Sequence, residues 1–283
     1  MDLIYKVSEL KAAVEGARSQ GKRIGFVPTM GALHEGHASL VKRAMQETQF
    51  VVVSVFVNPL QFGEGEDFDK YPRALGVDAN LLAEIGADVL FAPSASEVYP
   101  KENPIPALSA GELGEVFEGK SRPGHFDGML TVVNRLFNLV EPDAAFFGAK
   151  DAQQVALVRK MLAEQIAAGK RSPIQLVECE TVRDSHGLAL SSRNRFLSPH
   201  EVDIARSISA ALMAGAGHES AAKSKAAALA VLNPEAKLDY LELVDADSFE
   251  VLDSAANKKA RLIIACMVGQ TRLIDNLVID RTA

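Results

Sequence analysis

The sequence predicts an α/β fold: a doubly wound parallel sheet, then a smaller C-terminal α+β region of helices and an antiparallel sheet. Three observations predict it. Short β-branched apolar runs alternate with helical periodicity as far as about residue 178, the pattern of strands covered on both faces. The first of these runs turns into a helix through a Gly- and His-containing segment, Pro28 to His37. Such turns lie at the edge where open α/β sheets bind ligands. Beyond a boundary near residues 175–185 the order changes to alanine-rich helices and then to strands with no helix between them. The expected domains are therefore residues 1–178 and 179–283.

Taken in order, Val7, Leu10, Val14 and Ala17 fall at helical spacing, with Ser8 as the expected N-cap. Ile24–Val27 reads as a buried strand. Ala38–Met45 reads as a helix with Leu40, Val41, Ala44 and Met45 on one face. Phe50–Val57 is a second strand and ends at Asn58-Pro59-Leu60-Gln61-Phe62. A Gly- and acid-rich loop, 63–69, leads to Tyr71-Pro72-Arg73. Asp78–Ile85 then reads as a helix and Asp88–Phe91 as a strand. Residues 93–128 are rich in Pro, Gly and Ser, and connections of that length are usually functional. A helix over Leu130–Leu139, a strand over Ala144–Phe147, a helix through Leu162 and a strand over Ile174–Glu180 complete the alternation. Ser198-Pro199-His200-Glu201 has the form of a helix start, with N-cap, Pro at the first position and Glu three residues on. Alanine-rich helix, broken near Gly215-Ala216-Gly217, runs to Leu232. Lys237–Val244, Ala260–Val268 and Thr271–Ile279 are the closing strands, the last two joined by a Gly269-Gln270 turn.

A hydrophobic content of 48% with 24% charged residues describes a soluble globular chain with a real core. The longest apolar stretches, Phe50–Val57 and Leu262–Val268, are too short to span a bilayer. Met1–Lys6 has no basic segment followed by an apolar one, so the expectation is a cytoplasmic protein. Cys179 and Cys266, each inside an apolar run, are expected as buried free thiols. A net charge of −7 argues against a general nucleic-acid surface and requires any anionic substrate to meet locally concentrated cations.

Four groups of residues carry chemistry. His34 and His37 sit at a helix start, where free N–H groups and the dipole favour a phosphate and imidazoles add donors. Gly36 would let a flat ring approach the backbone. A metal pair lacking a third ligand and two satisfied structural histidines are the alternatives. Asn58 and Gln61 are either a turn with self-satisfied amides or a neutral pair that binds a hydroxy acid's hydroxyl and carboxylate. Lys150, after the strand and in Phe147-Gly148-Ala149-Lys150-Asp151, is a phosphate ligand or a solvated lysine. Ser191-Ser192-Arg193 supplies two hydroxyls and a guanidinium before a helix, a weak signal by itself.

Together these segments resemble the pantothenate synthetase (pantoate–β-alanine ligase) family. The resemblance rests on Pro28–His37, Asn58–Phe62, Tyr71-Pro72-Arg73, Arg122-Pro123-Gly124-His125-Phe126, Phe147-Gly148-Ala149-Lys150-Asp151-Ala152-Gln153-Gln154 and Ser191-Ser192-Arg193-Asn194-Arg195, in the family's order. The His-x-Gly-His piece, the HIGH motif, is shared with class I aminoacyl-tRNA synthetases and nucleotidyltransferases. The other five are specific together. Ala149 and Ala152 stand where the family often has Glu and Tyr, and Leu190 where Met is usual.

The resemblance implies a Rossmann-like ATP/pantoate domain and a C-terminal lid domain carrying the Ser-Ser-Arg loop. It implies ATP, pantoate and β-alanine as substrates, a pantoyl-adenylate intermediate, Mg²⁺ bridging the phosphates, and a homodimer without nucleic-acid or membrane partners. Residue by residue, His34, His37, Lys150, Ser191, Ser192 and Arg193 are the expected catalytic set. Pro28, Thr29, Met30, Gly36, Phe147, Gly148, Asp151, Val182 and Leu190 join His37, Lys150, Ser191, Ser192 and Arg193 around ATP, with Asp151 on the ribose. Met30, Asn58, Gln61 and Gln154 are expected at pantoate, Arg122 and His125 at the β-alanine step or loop closure, and Asp78 as a helper of the metal. A nucleotidyltransferase of the same superfamily would want a further basic pocket, whereas Asn58 and Gln61 are neutral. A catalytically idle nucleotide-binding paralogue would not need His34, His37, Lys150 and Arg193 together.

Overall fold

A computed structural model describes residues 1–63, 68, 73–102 and 104–282. Most of the acid-rich loop, with Tyr71 and Pro72 of the Tyr71-Pro72-Arg73 segment, lies outside the described residues. The chain forms two compact units, Met1–Gly148 with Leu157–Cys179, and Ala149–Ala156 with Glu180–Ala283. The expected division after residue 178 did not anticipate that Ala149–Ala156 belongs to the second unit.

The first unit is built on six parallel strands: β1 (Asp2–Ile4), β2 (Ile24–Thr29), β3 (Phe50–Val55), β4 (Val89–Phe91), β5 (Ala144–Gly148) and β6 (Gln175–Cys179). Their order is β1-β4-β3-β2-β5-β6. The chain runs outward from β2 to β3 and β4, then returns to place β5 on the other side of β2. The topological switch point therefore lies beside the end of β2. Helices α1 (Val7–Ser19), α2 (Glu35–Glu47), α3 (Leu75–Ile85), α4 (Ala95–Val98), α5 (Glu118–Ser121), α6 (His125–Val140) and α7 (Ala152–Ala167) connect the strands. A core of Val27, Val51, Val53, Leu90 and Phe146 under Leu40, Val41 and Ala44 of α2 and Leu82 of α3 holds the sheet against these two helices.

Several local expectations change. Lys6, not Ser8, is the N-cap of α1, and it makes no side-chain cap bond. Glu97 instead reaches in from α4 and accepts the Val7 N–H at 2.9 Å, a long-range cap that spacing along α1 does not encode. Met45 is 40% exposed and not on the inner face. Strand β2 runs on through Pro28 because β5 pairs only with Gly25 and Phe26, so the N–H that proline lacks is not needed on that side. Helix α6 starts at His125, five residues earlier than the apolar pattern indicated.

In the second unit, α8 (Pro199–Ala216) and α9 (Ala221–Val231) pack on an antiparallel sheet of β7 (Lys237–Asp245), β8 (Lys259–Val268) and β9 (Thr271–Asp280), ordered β7-β8-β9. Helix α8 begins with the capping box expected: Ser198 Oγ accepts the Glu201 N–H and Glu201 accepts the Ser198 N–H. Ile208 and Leu212 of α8 meet Leu262 and Ile264 of β8 in a separate core. The β8–β9 hairpin turns through two residues, with Gly269 at φ 57° as such tight turns require.

Candidate active site

In the first unit the site starts where β2 ends. Thr29 Oγ1 donates to the Ser54 carbonyl at 2.7 Å and accepts the Gly31 N–H at 3.2 Å, so that hydroxyl is used internally. Gly31 has φ 86°, and a β-carbon there would lie 2.9 Å from Val55, so glycine is required by both conformation and space. Ala32 follows at φ 51°. What holds it there is Asp78 of α3, 2% exposed, whose carboxylate accepts the Ala32 N–H at 3.0 Å and the Leu33 N–H at 2.8 Å. Burial pushes the Asp78 carboxyl above the usual carboxylate range, and the two N–H donors pull against that.

The next residues cap α2. His34 is the N-cap, and its Nδ1 accepts the Gly36 N–H at 3.1 Å. His37 Nδ1 accepts the His34 N–H at 3.3 Å. A backbone N–H can only donate, so both Nδ1 atoms are bare, and in the neutral rings the hydrogens sit on Nε2. The ring centroids lie 4.1 Å apart. Two imidazoles are thus presented as N–H donors at a helix N-terminus, where the dipole already favours an anion. The capping bonds use Nδ1 of each ring, so the structural reading of these histidines does not exclude the phosphate one. Among the described residues no cluster of three or more His, Cys, Asp or Glu could hold a metal.

Asn58 and Gln61 bracket a 3₁₀ turn, Pro59–Gln61, after β3. Asn58 is fully buried. Its Nδ2 donates to Gln61 Oε1 and to the Gly128 carbonyl of α6, both at 3.0 Å. Its Oδ1 accepts the Leu60 N–H at 3.3 Å and the Tyr99 hydroxyl at 2.8 Å. All four positions of this amide are taken within the chain, and Asn58 thereby supports Gln61. Leu60 N–H and Gly128 carbonyl fix which end of Asn58 is oxygen, and Asn58 then fixes Gln61. Gln61 must turn Oε1 toward Asn58, which leaves Nε2 as the end of its amide that Asn58 does not engage. The Gln61 carbonyl accepts His125 Nδ1–H at 2.8 Å, and Arg122 donates to His125 Nε2 at 3.0 Å. Arginine only donates, so His125 is the Nδ1–H tautomer and links Arg122 to the Gln61 backbone. Tyr99 and Gly128 were missed by sequence reasoning. A β-carbon on Gly128 would sit 1.8 Å from the Leu60 carbonyl oxygen, a contact that no local pattern reveals.

The remaining candidates lie in the second unit, apart from Phe147 and Gly148. Phe147 is 3% exposed and stacks edge-on against Phe137, which leaves its backbone alone for any ligand; Gly148 has open space on its Cα. Lys150 and Asp151 form a 3₁₀ turn before α7, with Lys150 Nζ 3.0 Å from the Asp151 carboxylate. Lys150 is therefore tethered, not a freely solvated lysine. Gln154 is partly exposed on the first turn of α7. Val182 accepts the Leu190 N–H at 2.9 Å. This closes a short loop so that Ser191 follows directly as the N-cap of a 3₁₀ turn, Ser192–Phe196, with its Oγ accepting the Arg193 N–H at 3.3 Å.

Comparison with known proteins gives consistent results. The family model described as Pantoate-beta-alanine ligase matches residues 2–278. The chain is 48% identical to the pantothenate synthetase of a Nocardioides species, over 97% of this chain and 84% of that one. It is 45% identical to that of Aquifex aeolicus, over 97% of both. Among solved structures, pantothenate synthetase from Thermus thermophilus superposes with TM-score 0.89 at 45% identity, covering 99% of this chain and 100% of that one. The pantoate-beta-alanine ligase of Francisella tularensis, complexed with β,γ-ATP and β-alanine, gives 0.80 at 35% identity, over 98% and 97%.

Proposed function

The chain belongs to the pantoate–β-alanine ligase family, and from that premise we propose how its residues divide the work. The enzyme is a ligase that condenses pantoate with β-alanine to form pantothenate, and ATP is its co-substrate. A carboxylate acylates an amine poorly until its oxygen is made a good leaving group. In our reading a pantoate carboxylate oxygen attacks the α-phosphorus of ATP, the bond to the β-phosphate breaks, and pyrophosphate leaves. The β-alanine amine then attacks the acyl carbon of pantoyl-adenylate, the bond to AMP breaks, and the nitrogen sheds a proton.

His34 and His37, through Nε2–H, stabilise charge that grows on the phosphates in the first step. The N-terminus of α2 and the backbone of Pro28, Met30 and Gly36 receive the nucleotide beside them. Gln61 donates Nε2–H to pantoate, with Met30 and Gln154 completing that subsite and Asn58 holding Gln61 in place. Lys150, Ser191, Ser192 and Arg193 neutralise the departing pyrophosphate. Asp151 takes the ribose, while Gly148, Val182 and Leu190 line the nucleotide. A lid role for residues 179–283 goes with this assignment. Arg122 and His125 support Gln61 from behind and act in the β-alanine step through it.

Mg²⁺ fits as a companion of the nucleotide. It commonly binds through phosphates and waters with few carboxylates, and Asp78 already spends both oxygens on Ala32 and Leu33. When bound, it supplies positive charge to the triphosphate. A homodimer rests on the family resemblance alone, and a cytoplasmic location on that resemblance and the two buried free cysteines. The observation that carries this reading is the pair of imidazoles at the N-terminus of α2 whose Nδ1 atoms each accept a backbone N–H. Pantoate labelled with ¹⁸O in its carboxylate tests it: one labelled oxygen should appear in each AMP formed, and label found only in pantothenate would contradict the adenylate.

A further inference from the structure

Two adjacent residues of β9, Asp275 and Asn276, interrupt the apolar run from Leu273 to Ile279 and are buried at 5% and 6% exposure. Successive residues of a strand face opposite ways. Asn276 Nδ2 donates to the Ala149 carbonyl at 2.8 Å and the Lys150 carbonyl at 3.0 Å. Its Oδ1 accepts from Arg261 of β8 at 2.6 Å, and Arg261 is itself 3% exposed. On the other face, Asp275 receives a two-pronged bond from Arg183, at 2.5 and 2.9 Å. Arg183 lies in the loop that Val182 and Leu190 close just before Ser191, and it also bonds the Gly187 carbonyl at 3.1 Å. Strand β9 accordingly packs against both the Ala149–Asp151 turn and the Ser192–Phe196 turn.

We propose that Asp275 and Asn276, with Arg183 and Arg261, are positioning residues that lock the Lys150 turn and the Ser191–Arg193 loop to one strand. This rests on the roles given above to Lys150 and Ser191–Arg193. None of the four touches substrate. They set the spacing of the cations and hydroxyls that meet the pyrophosphate group, so their effect falls on the step in which that group departs. The Asn276 amide uses its oxygen and its nitrogen within this network, and a buried polar group partnered in that way is held rigidly, while electrostatic catalysis depends on donors already in place.

Asn276→Asp keeps the shape and the Arg261 bond but turns an acceptor toward two carbonyls. In the full-length enzyme, its rate of pantoate-dependent ATP–pyrophosphate exchange should fall at least about 10-fold, with KM for pantoate changed less than about 3-fold. Pantothenate formation from supplied pantoyl-adenylate and β-alanine should stay near wild type. Arg183→Lys should act similarly, and the double variant should be no worse than the poorer single one, as coupled residues are not additive. Inorganic pyrophosphate should bind about 10-fold more weakly to Asn276→Asp, a reading that needs no turnover. Exchange and pyrophosphate affinity both within about 2-fold of wild type would overturn the proposal, as would equal loss in both half-reactions. If Asn276→Asp fails to fold, Asn276→Ser carries the same measurements. A wild type that binds pyrophosphate but shows no pantoate-dependent exchange would overturn the functional reading instead, and the affinity comparison would then decide this proposal.

Discussion

His37 Nδ1 accepts the backbone N–H of His34 at 3.3 Å, while His34 accepts that of Gly36. One pair of rings thus caps a helix with one set of nitrogens and presents N–H donors with the other. The two jobs separate by mutation. Asn places its amide near Nδ1, so His34→Asn should keep the cap and the melting temperature yet lose about 10²–10³ in exchange rate. Gln reaches toward Nε2, so His34→Gln should lose about 1 kcal/mol of stability and retain more activity than Asn. Thermal unfolding with exchange assays on both variants checks the split, and the reverse ranking would contradict it.

Gln61 is oriented by Asn58, and its Nε2 is the group we assign to pantoate. Gln61→Glu replaces that donor with a charge facing another carboxylate. KM for pantoate should rise about 100-fold or more, with KM for ATP little changed. Tyr99→Phe removes only one of four bonds to Asn58 and should cost about 1 kcal/mol of stability, with KM for pantoate within about 3-fold of wild type. Steady-state kinetics in both substrates distinguishes the two.

Gly128 lets α6 approach the Leu60 carbonyl. In Gly128→Ala the added carbon overlaps that oxygen, so the turn carrying Asn58 and Gln61 must shift. Stability should fall by about 1–3 kcal/mol, and pantoate affinity should fall with it while the ATP affinity is spared. Calorimetric unfolding and substrate titration give both numbers.

Burial pushes the Cys179 thiol up to about 11 and the Cys266 thiol up to about 12. The thiolate is the reactive form, and at pH 8 both are held as thiols in the folded protein. Ellman's reagent should therefore find no reactive thiol in native enzyme at pH 8 and two after denaturation; rapid reaction of native protein would contradict the burial.

Much of this was legible in the sequence because the signals were local. Ser198-Pro199 with Glu201 announces the start of α8, and the β-branched run at Phe50 announces a central strand. Pro28 to His37 marks the turn at the switch point. What escaped depends on partners far along the chain. Glu97 caps α1 from 90 residues away, Asp78 holds Ala32 from 46, and Asn276 fastens the Lys150 turn from 126. The Asp275-Asn276 pair did leave a trace, as two polar residues inside the apolar run from Leu273 to Ile279, but nothing nearby says what they hold. Met45 went wrong in the opposite sense: its position on α2 suits burial, yet it emerges at the rim of the packed face.

The central claim, activation of pantoate as an adenylate before the amine is engaged, is tested most directly by ATP–pyrophosphate exchange. Labelled pyrophosphate should enter ATP when pantoate is present and β-alanine is absent, and should not do so without pantoate. Folded enzyme that binds ATP and pantoate but exchanges label only when β-alanine is added would contradict the account.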